Sequence, residues 1–117
     1  MNVIEVNVGK KIEYSTYKNK ITFEDELTLN CEKREQDFDV CIDICIDKDG
    51  MLTLGTLGEK YAAQVEIPAR QYTETQVKNP DFDPDAEEGT VVEEYIVERT
   101  PVPFSMANVT LKLYAIE

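Results

Sequence analysis

The sequence has no histidine, no tryptophan and only two serines, Ser15 and Ser105. Without histidine there is no serine–histidine or cysteine–histidine nucleophile pair, no histidine metal site and no use of the commonest general base. A glycine-rich phosphate loop and a nucleotide-binding fingerprint are also missing. Carboxylates are abundant enough for a glycosidase-like pair, but no tryptophan is present to stack against a sugar. We therefore expect a protein that is not an enzyme and has no cofactor.

Basic residues are scarce. Lysine and arginine total 12 against 24 aspartates and glutamates, so the net charge is −12. Direct binding to nucleic acid is disfavoured because few cations are available to displace counterions, whereas acidity suits a partner with a basic surface. No stretch approaches the roughly 20 apolar residues of a membrane span, and no export-signal pattern is found. We expect a cytoplasmic protein that binds neither membranes nor nucleic acid directly.

The sequence has three cysteines. An odd number of cysteines without an export signal favours a location in a reducing compartment. Cys41 and Cys45 lie four residues apart on a predicted strand, about 13 Å at the usual rise. A disulfide needs Cα atoms within about 7 Å, so this pair does not bridge. Cys31 is expected to point into the core, opposite to both. We predict three reduced thiols rather than a Cys–Asp metal site along Asp39 to Asp47.

The clearest positive signal is a ten-residue alternation over 38–47, FDVCIDICID. A period of two sends side chains to opposite faces of a β-strand. The apolar positions are Phe38, Val40, Ile42, Ile44 and Ile46. The pattern predicts a central strand with one face on the core and a second face of carboxylates and thiols.

Segments before this strand show the same alternation. Residues 2–8 and 12–16 are predicted to pair as a hairpin across Gly9-Lys10-Lys11, because a three-residue loop brings their apolar faces together. The odd-numbered apolar series over 21–31 is predicted to be one long strand with a bulge or bend at Glu24-Asp25-Glu26. A turn over 34–37 then pairs it with the central strand, with Leu29 opposite Ile42 and Cys31 opposite Val40.

Segments after the central strand continue the pattern. Lys48-Asp49-Gly50 is predicted to be a hairpin loop with glycine at its left-handed position, placing Ile46 opposite Leu52 and Ile44 opposite Leu54. Residues 62–77 are predicted to be one long strand that Pro68 marks as an edge or bulge. A return strand over 90–102 and a last strand over 109–115 complete the series.

The chain has the length of one ordinary domain, and we treat 1–117 as a single all-β domain. About eight short strands with no sustained helical period predict an antiparallel β-sandwich in a largely meander order. A small up-and-down barrel is the alternative, because a meander also closes on itself.

Residues 70–99 form a predicted hairpin arm that does not serve the core. It contains nine acidic and three basic residues, a net charge of −6 in about a quarter of the chain. Both strand faces are polar, so burial would contribute little, and we expect the arm to project into solvent with a mobile tip.

Three interpretations of this arm compete. It is a solvated loop that provides solubility, or a docking element in which Phe82 anchors and carboxylates engage basic residues of a partner, or a calcium site. Asp81, Asp83 and Asp85 have ligand-like spacing, but Pro84 interrupts them and the glycine and glutamate of a calcium loop are missing. The candidate partner-binding residues are Tyr72, Glu74, Asp81, Phe82, Asp83, Asp85, Glu87, Glu88, Glu93 and Glu94.

The functional hypothesis that follows is a protein-binding or assembly accessory domain. Its small size and acidity suit an accessory factor of a phage or another mobile element, although no individual residue indicates that origin. Two alternatives remain open: an acidic inhibitor that mimics nucleic acid toward a basic enzyme, and a calcium-binding β domain. Association of copies through exposed sheet edges is a further expectation.

Overall fold

The computed structural model describes residues 1–55, 60–80, 82 and 93–117, and these residues are mostly β-structure. Within them the only helical segments are a one-turn helix α1 (Cys31–Arg34) and a 3-10 turn (Met106–Asn108). The predicted all-β class is therefore confirmed, although the described residues hold ten strands where about eight were predicted. The strands are β1 (Asn2–Glu5), β2 (Tyr14–Tyr17), β3 (Lys20–Phe23), β4 (Leu27–Asn30), β5 (Val40–Ile46), β6 (Leu52–Leu54), β7 (Lys60–Ile67), β8 (Tyr72–Lys78), β9 (Tyr95–Pro101) and β10 (Thr110–Leu113).

Two compact units share the chain. The first unit, Met1–Arg70 with Pro103–Glu117, contains a five-stranded sheet of order β1-β10-β7-β5-β6 and a three-stranded sheet of order β2-β3-β4. The second unit, Gln71–Val102, contains the two-stranded ribbon β8-β9. The larger sheet does not follow the predicted meander, because β10 lies between β1 and β7 and pairs with β1 in parallel.

The strand predicted over 38–47 is confirmed as β5, an interior strand that pairs with both β6 and β7, although β7 rather than β5 lies in the middle of the sheet. Its predicted register with β6 is also confirmed, with Ile44 opposite Leu54 and Ile46 opposite Leu52. Gly50 has the predicted left-handed conformation, with φ of 80°. A glycine takes this conformation at little cost, so the turn chemistry alone was sufficient to set the register.

Burial differs from the prediction at two positions of this segment. Cys45 is only 1% exposed although it was predicted on the polar face, and it does not belong to the core cluster. The register against β7 shifts between Ile44 and Cys45, but Ile46 beyond the shift still packs against the core, so β5 keeps its faces and Cys45 is covered on the other side. Phe38 was predicted to face the core, but it precedes the first residue of β5 and is 65% exposed.

The predicted N-terminal hairpin is wrong. β1 pairs with β10, and β2 pairs with β3. Residues 7–10 run instead along the end of the chain, where Asn7 Oδ1 accepts from the N–H of Ala115 at 2.7 Å and the carbonyl of Lys10 accepts from the N–H of Ile116 at 2.8 Å. A Cβ on Gly9 would lie 2.7 Å from Cβ of Ala115, so the close approach itself requires glycine.

The odd-numbered series over 21–31 is a hairpin rather than one strand with a bulge. Glu24 and Asp25 both have positive φ, 51° and 55°, and the turn places Phe23 opposite Leu27. A three-residue connection preserves parity, which explains why the apolar face was predicted correctly while the reversal was missed. β4 pairs with β3, and α1 leads onward to β5, so the predicted pairing of Leu29 with Ile42 and of Cys31 with Val40 is wrong.

The strand predicted over 62–77 is two strands, because β7 ends immediately before Pro68, whose ring cannot donate to the ladder. The chain is then held by the segment that precedes β5. The N–H of Ala69 donates to Asp39 Oδ1 at 2.9 Å, and the N–H of Arg70 donates to the carbonyl of Gln36 at 2.8 Å. Pro68 is therefore a strand end rather than an edge position.

One apolar cluster forms the core, and it draws residues from both sheets of the first unit. Every buried apolar residue among those described belongs to that unit, and no charged or polar residue among them is buried. Alternation predicts that Ala63, Val65 and Ile67 of β7 and Leu111 and Leu113 of β10 face inward, and all five are buried. The buried cluster comprises Ile12, Ile21, Phe23, Leu29, Cys31, Ile42, Ile44, Ala62, Ala63, Val65, Ile67, Val109, Leu111 and Leu113.

Candidate functional site

The second unit contains the arm predicted over 70–99, and its strand pairing is confirmed. β8 and β9 are antiparallel over seven residue pairs, from Tyr72 opposite Pro101 to Lys78 opposite Tyr95. Directly opposed residues share a face, and successive residues alternate between faces. The register therefore assigns every side chain of the ribbon to one of two faces.

We call these faces the Tyr95 face and the Ile96 face. The Tyr95 face carries Tyr72, Glu74, Gln76, Lys78, Tyr95, Val97, Arg99 and Pro101, and the Ile96 face carries Thr73, Thr75, Val77, Ile96, Glu98 and Thr100. Large apolar side chains therefore occur on both faces of a ribbon that was predicted to be polar on both.

All seven residues of β9 are exposed. Three consecutive large apolar residues lie among them, with Tyr95 52%, Ile96 40% and Val97 58% exposed. Sequence reasoning did not select these residues, although the signal was present: a run of three strong β-formers between acidic residues in a segment that contributes nothing to the core. They are the exposed candidate residues that sequence analysis missed.

Two predicted partner-binding residues, Tyr72 and Glu74, are engaged within the ribbon. The guanidinium of Arg99 lies 4.3 Å from the ring centroid of Tyr72, and its Nε lies 3.9 Å from Glu74 Oε1. Cation–π contact and ion pairing of this kind are each worth less than about 1 kcal/mol at exposed sites. Their effect here is to hold Arg99 over one end of the Tyr95 face.

The hydrogen bonds of Asn79 close the far end of the ribbon. Its backbone N–H donates to the carbonyl of Glu94 at 2.8 Å, and its Nδ2 donates to the carbonyl of Glu93 at 2.9 Å. The N–H of Phe82 donates to the carbonyl of Asn79 at 3.1 Å, and Phe82 is half-buried. Glu93 and Glu94 are exposed, as a docking role requires.

Five candidate residues lie outside the described part of the chain, and so does the tip that was expected to be mobile. The structure therefore places Tyr72 and Glu74 on the ribbon and Phe82, Glu93 and Glu94 in the same unit beyond its strands, and it does not describe the rest. The calcium hypothesis, which used three of the undescribed residues, falls outside it as well. The undescribed candidates are Asp81, Asp83, Asp85, Glu87 and Glu88.

A second polar cluster lies on the outer face of β5 and its neighbours. Asp43 Oδ1 accepts from Gln64 Nε2 at 2.8 Å, and Gln64 Oε1 accepts from the hydroxyl of Tyr114 at 2.6 Å. The ring centroids of Tyr61 and Tyr114 are 5.8 Å apart, and the charge of Asp43 raises the pKa of Tyr61. These contacts satisfy one another, so they are typical of a supported sheet surface rather than of a reactive site.

The raised pKa values of the thiols disfavour nucleophilic chemistry by these cysteines. Partial burial, and then the charges of Asp43 and Glu66, raise the pKa of the exposed Cys41 thiol, which is opposite to the shift a nucleophilic cysteine needs. Burial raises the pKa of Cys31 to about 11. None of the three cysteines forms a disulfide bond.

Metal-binding geometry is not found among the residues that the structure describes. No group of three or more cysteine, aspartate or glutamate side chains there is placed to hold an ion. Asp47 instead serves its turn, since its Oδ1 accepts from the N–H groups of Asp49 and Met51 at 2.9 Å each. This is a common turn role for aspartate.

Helices capable of crossing a membrane are missing from the described residues, in which the longest α-helix has one turn. No protein-family model, characterised protein or solved structure matches this chain.

Proposed function

We propose that this chain is a non-enzymatic protein-binding domain and that the β8–β9 ribbon is its binding element. The observation that carries the proposal is the exposed apolar run Tyr95, Ile96 and Val97 on a seven-pair ribbon. A two-stranded ribbon gains little stability from side chains left in water. Aromatic and β-branched residues in such a place are better explained by contact with a partner.

The geometry suits two kinds of contact. Tyr95 and Val97 lie side by side on one face and offer an apolar patch beside Gln76 and Lys78. Within the described residues β8 and β9 pair only with each other, so the ribbon also offers strand edges for main-chain pairing. The proposed partner surface is therefore apolar at its centre.

Charge favours a basic rim on that partner. Glu74, Glu93, Glu94 and Glu98 are exposed around the apolar run, and the arm over 70–99 has a net charge of −6. Rim charges mainly accelerate association and select the partner, while the buried apolar contacts determine the lifetime of the complex. We therefore propose a basic protein partner rather than a membrane or nucleic acid.

The test is affinity capture from the native cell followed by reconstitution with the captured protein in pure form. The double variant Tyr95→Thr/Val97→Thr should weaken the reconstituted complex by at least tenfold, because two apolar contacts worth about 1 kcal/mol or more each are lost. Thr73→Ser/Thr75→Ser, on the Ile96 face, is the matched control. Equal affinity of the wild type and the Tyr95→Thr/Val97→Thr variant would refute the proposed binding element.

The nucleic-acid mimic remains the alternative function, with less support. A mimic needs carboxylates in regular array on one continuous face, but Glu74 and Glu98 lie on opposite faces of the ribbon. The salt dependence of binding distinguishes the nucleic-acid mimic from the protein-binding ribbon, because a mimic should lose affinity for its partner steeply as ionic strength rises. A ribbon contact centred on Tyr95 should keep most of its affinity at 500 mM salt.

Three finer features belong to the same proposal. We propose that the five- and three-stranded sheets of the first unit stack as the two layers of a sandwich, supported by the single buried cluster drawn from both. We also propose that the acidic arm projects into solvent. A cytoplasmic location is supported by the exposed thiol of Cys41, which suits a reducing compartment.

A further inference from the structure

A groove of about 650 Å³ lies in the first unit, beside α1, β4 and the start of β5. Its walls include Thr28 and Asn30 of β4, the cations Lys33 and Arg34 of α1, and Phe38. The volume is in the range of ordinary ligand sites. None of these lining residues belongs to the ribbon unit, and the proposed function does not use them.

None of the described residues that line this groove is acidic, and the carboxylates of the neighbouring segment 32–39 already have hydrogen-bond partners. The segment 32–39 holds four carboxylates and would be expected to repel an anion. Each one instead accepts a hydrogen bond from another part of the first unit, which lowers its availability to a ligand. The pairs are Glu32 with Asn19 Nδ2 (2.8 Å), Glu35 and Asp37 with Arg70 (3.2 Å each), and Asp39 with the N–H of Ala69 (2.9 Å).

The two cations that line the groove, unlike these carboxylates, have no ion-pair partner among the described residues. Lys33 and Arg34 are exposed, and neither forms an ion pair with any residue that the structure describes. Asn30 caps their turn by accepting from the N–H of Lys33 at 3.1 Å, which fixes the backbone that presents them. The charged residues among the described lining of the groove are thus two adjacent cations without an ion-pair partner there, on a protein whose net charge is −12.

The rest of the groove is suited to an extended chain. Phe38 lies along it and is 65% exposed. β4 pairs only with β3 within the described ranges, so the groove is bordered by the edge of a sheet. A sheet edge offers main-chain pairing, an exposed aromatic ring offers an apolar contact, and paired cations select carboxylates.

We propose that this groove binds an extended acidic peptide segment of a partner protein, with its carboxylates on Lys33 and Arg34 and an apolar side chain on Phe38. Screening confines electrostatic contact to about 8 Å at physiological ionic strength, so a short acidic segment in the groove responds mainly to nearby charges, and those that line the groove are the two cations. A polynucleotide extends well beyond the groove and meets the negative surface of the whole protein.

The probe is a fluorescein-labelled decapeptide in which glutamate alternates with threonine around one central phenylalanine. Fluorescence anisotropy with the full chain at 150 mM salt should show saturable binding, and a peptide with lysine in place of glutamate should not bind. The double variant Lys33→Gln/Arg34→Gln should lose at least tenfold in affinity, and Phe38→Ala should lose several-fold.

The matched control is Lys48→Gln/Lys60→Gln, which changes the net charge equally at two exposed lysines away from the groove and should change affinity less than twofold. Circular dichroism checks that each variant is folded. The proposal is overturned if the glutamate peptide shows no saturable binding or if both double variants weaken it equally. Tighter binding of a single-stranded decanucleotide than of the peptide would also overturn it, in favour of a nucleic-acid groove.

Discussion

Cys31 shows at the residue scale how burial controls chemistry in this protein. Its side chain has no exposed surface, and burial raises its pKa from 9.0 to about 11, against a smaller opposing effect of the Arg34 charge. A thiol held protonated in this way is a small apolar core residue rather than a reactive one. Sequence parity alone predicted its inward position.

The raised pKa of Cys31 predicts a pH-dependent loss of stability. Between pH 9 and pH 11 the unfolded chain releases a proton that the folded state retains, so the free energy of unfolding should fall as pH rises through that window, by roughly 2–3 kcal/mol from this group. Urea denaturation at several pH values measures it. Cys31→Ala should remove this component and Cys41→Ala, at an exposed thiol, should keep most of it. Identical pH dependence in Cys31→Ala and wild type would contradict the prediction.

Arg70, just after the end of β7, forms ion pairs and a hydrogen bond with the segment before β5. Its Nε lies 3.2 Å from Glu35 Oε1, its Nη1 lies 3.2 Å from Asp37 Oδ1, and its Nη2 donates to the Glu35 carbonyl at 3.1 Å. The Glu35 side chain is only 15% exposed. Removal of the guanidinium would leave this carboxylate without its cation in a largely dry place.

Arg70→Gln should therefore lower the free energy of unfolding by about 1–2 kcal/mol. Lys10→Gln is the matched control, because Lys10 pairs with Glu117 at 3.6 Å where both side chains are mostly exposed. That change should stay within about 0.5 kcal/mol. Chemical denaturation of both variants makes the comparison, and equal effects would show that Arg70 contributes no more than a surface ion pair.

At the element scale, alternation predicted most strands and their inward faces, while turn chemistry predicted the β5–β6 register. The chain reversal within the odd-numbered apolar series was missed. The three-residue turn between Phe23 and Leu27 keeps the odd-numbered positions on one face of the sheet, so the alternation continues across the turn. Its positive-φ residues are Glu24 and Asp25 rather than glycine or asparagine, so the usual turn signal was absent. The candidate ribbon was predicted as an element, but its exposed apolar run was not.

Central and edge strands should differ sharply in their response to the same substitution. Ile44 in β5 has no exposed surface, whereas Ile4 in β1 is 47% exposed. Ile44→Ala should lower the free energy of unfolding by about 3 kcal/mol, since it removes buried methyl groups and leaves a cavity. Ile4→Ala should lower it by less than about 1 kcal/mol. Similar losses in urea denaturation would mean that β5 is not the centre of the core.

At the scale of the whole molecule, the two units differ in their contribution to the core. All described core residues belong to Met1–Arg70 and Pro103–Glu117, and the ribbon within Gln71–Val102 contributes none. The N–H of Val102 donates to the carbonyl of Gln71 at 2.8 Å, so the two ends of the ribbon unit lie side by side. Stability and the proposed partner binding are therefore separable by deletion.

Replacement of Gln71–Val102 by a Gly-Ser-Gly linker should leave a cooperatively folding protein. The free energy of unfolding should change by no more than about 1 kcal/mol, because none of the described residues that are removed is a buried apolar one and a short linker bridges adjacent ends. Thermal unfolding followed by circular dichroism measures this. Loss of the cooperative transition would show that the ribbon is part of the folding unit.

The sequence by itself determined the all-β class, the inward residues of most strands and the exclusion of histidine chemistry, because these depend only on side-chain type and a local period of two. Tertiary structure decided which strands pair. Several segments have an alternation of apolar and polar residues that would fit beside β1 or β4. Closing a long loop costs only slightly more free energy than closing a short one, so strands adjacent in sequence were not strongly favoured as pairing partners. The exposed run of Tyr95, Ile96 and Val97 and the cationic groove of Lys33 and Arg34 likewise exist only because distant segments cover some side chains and leave these uncovered.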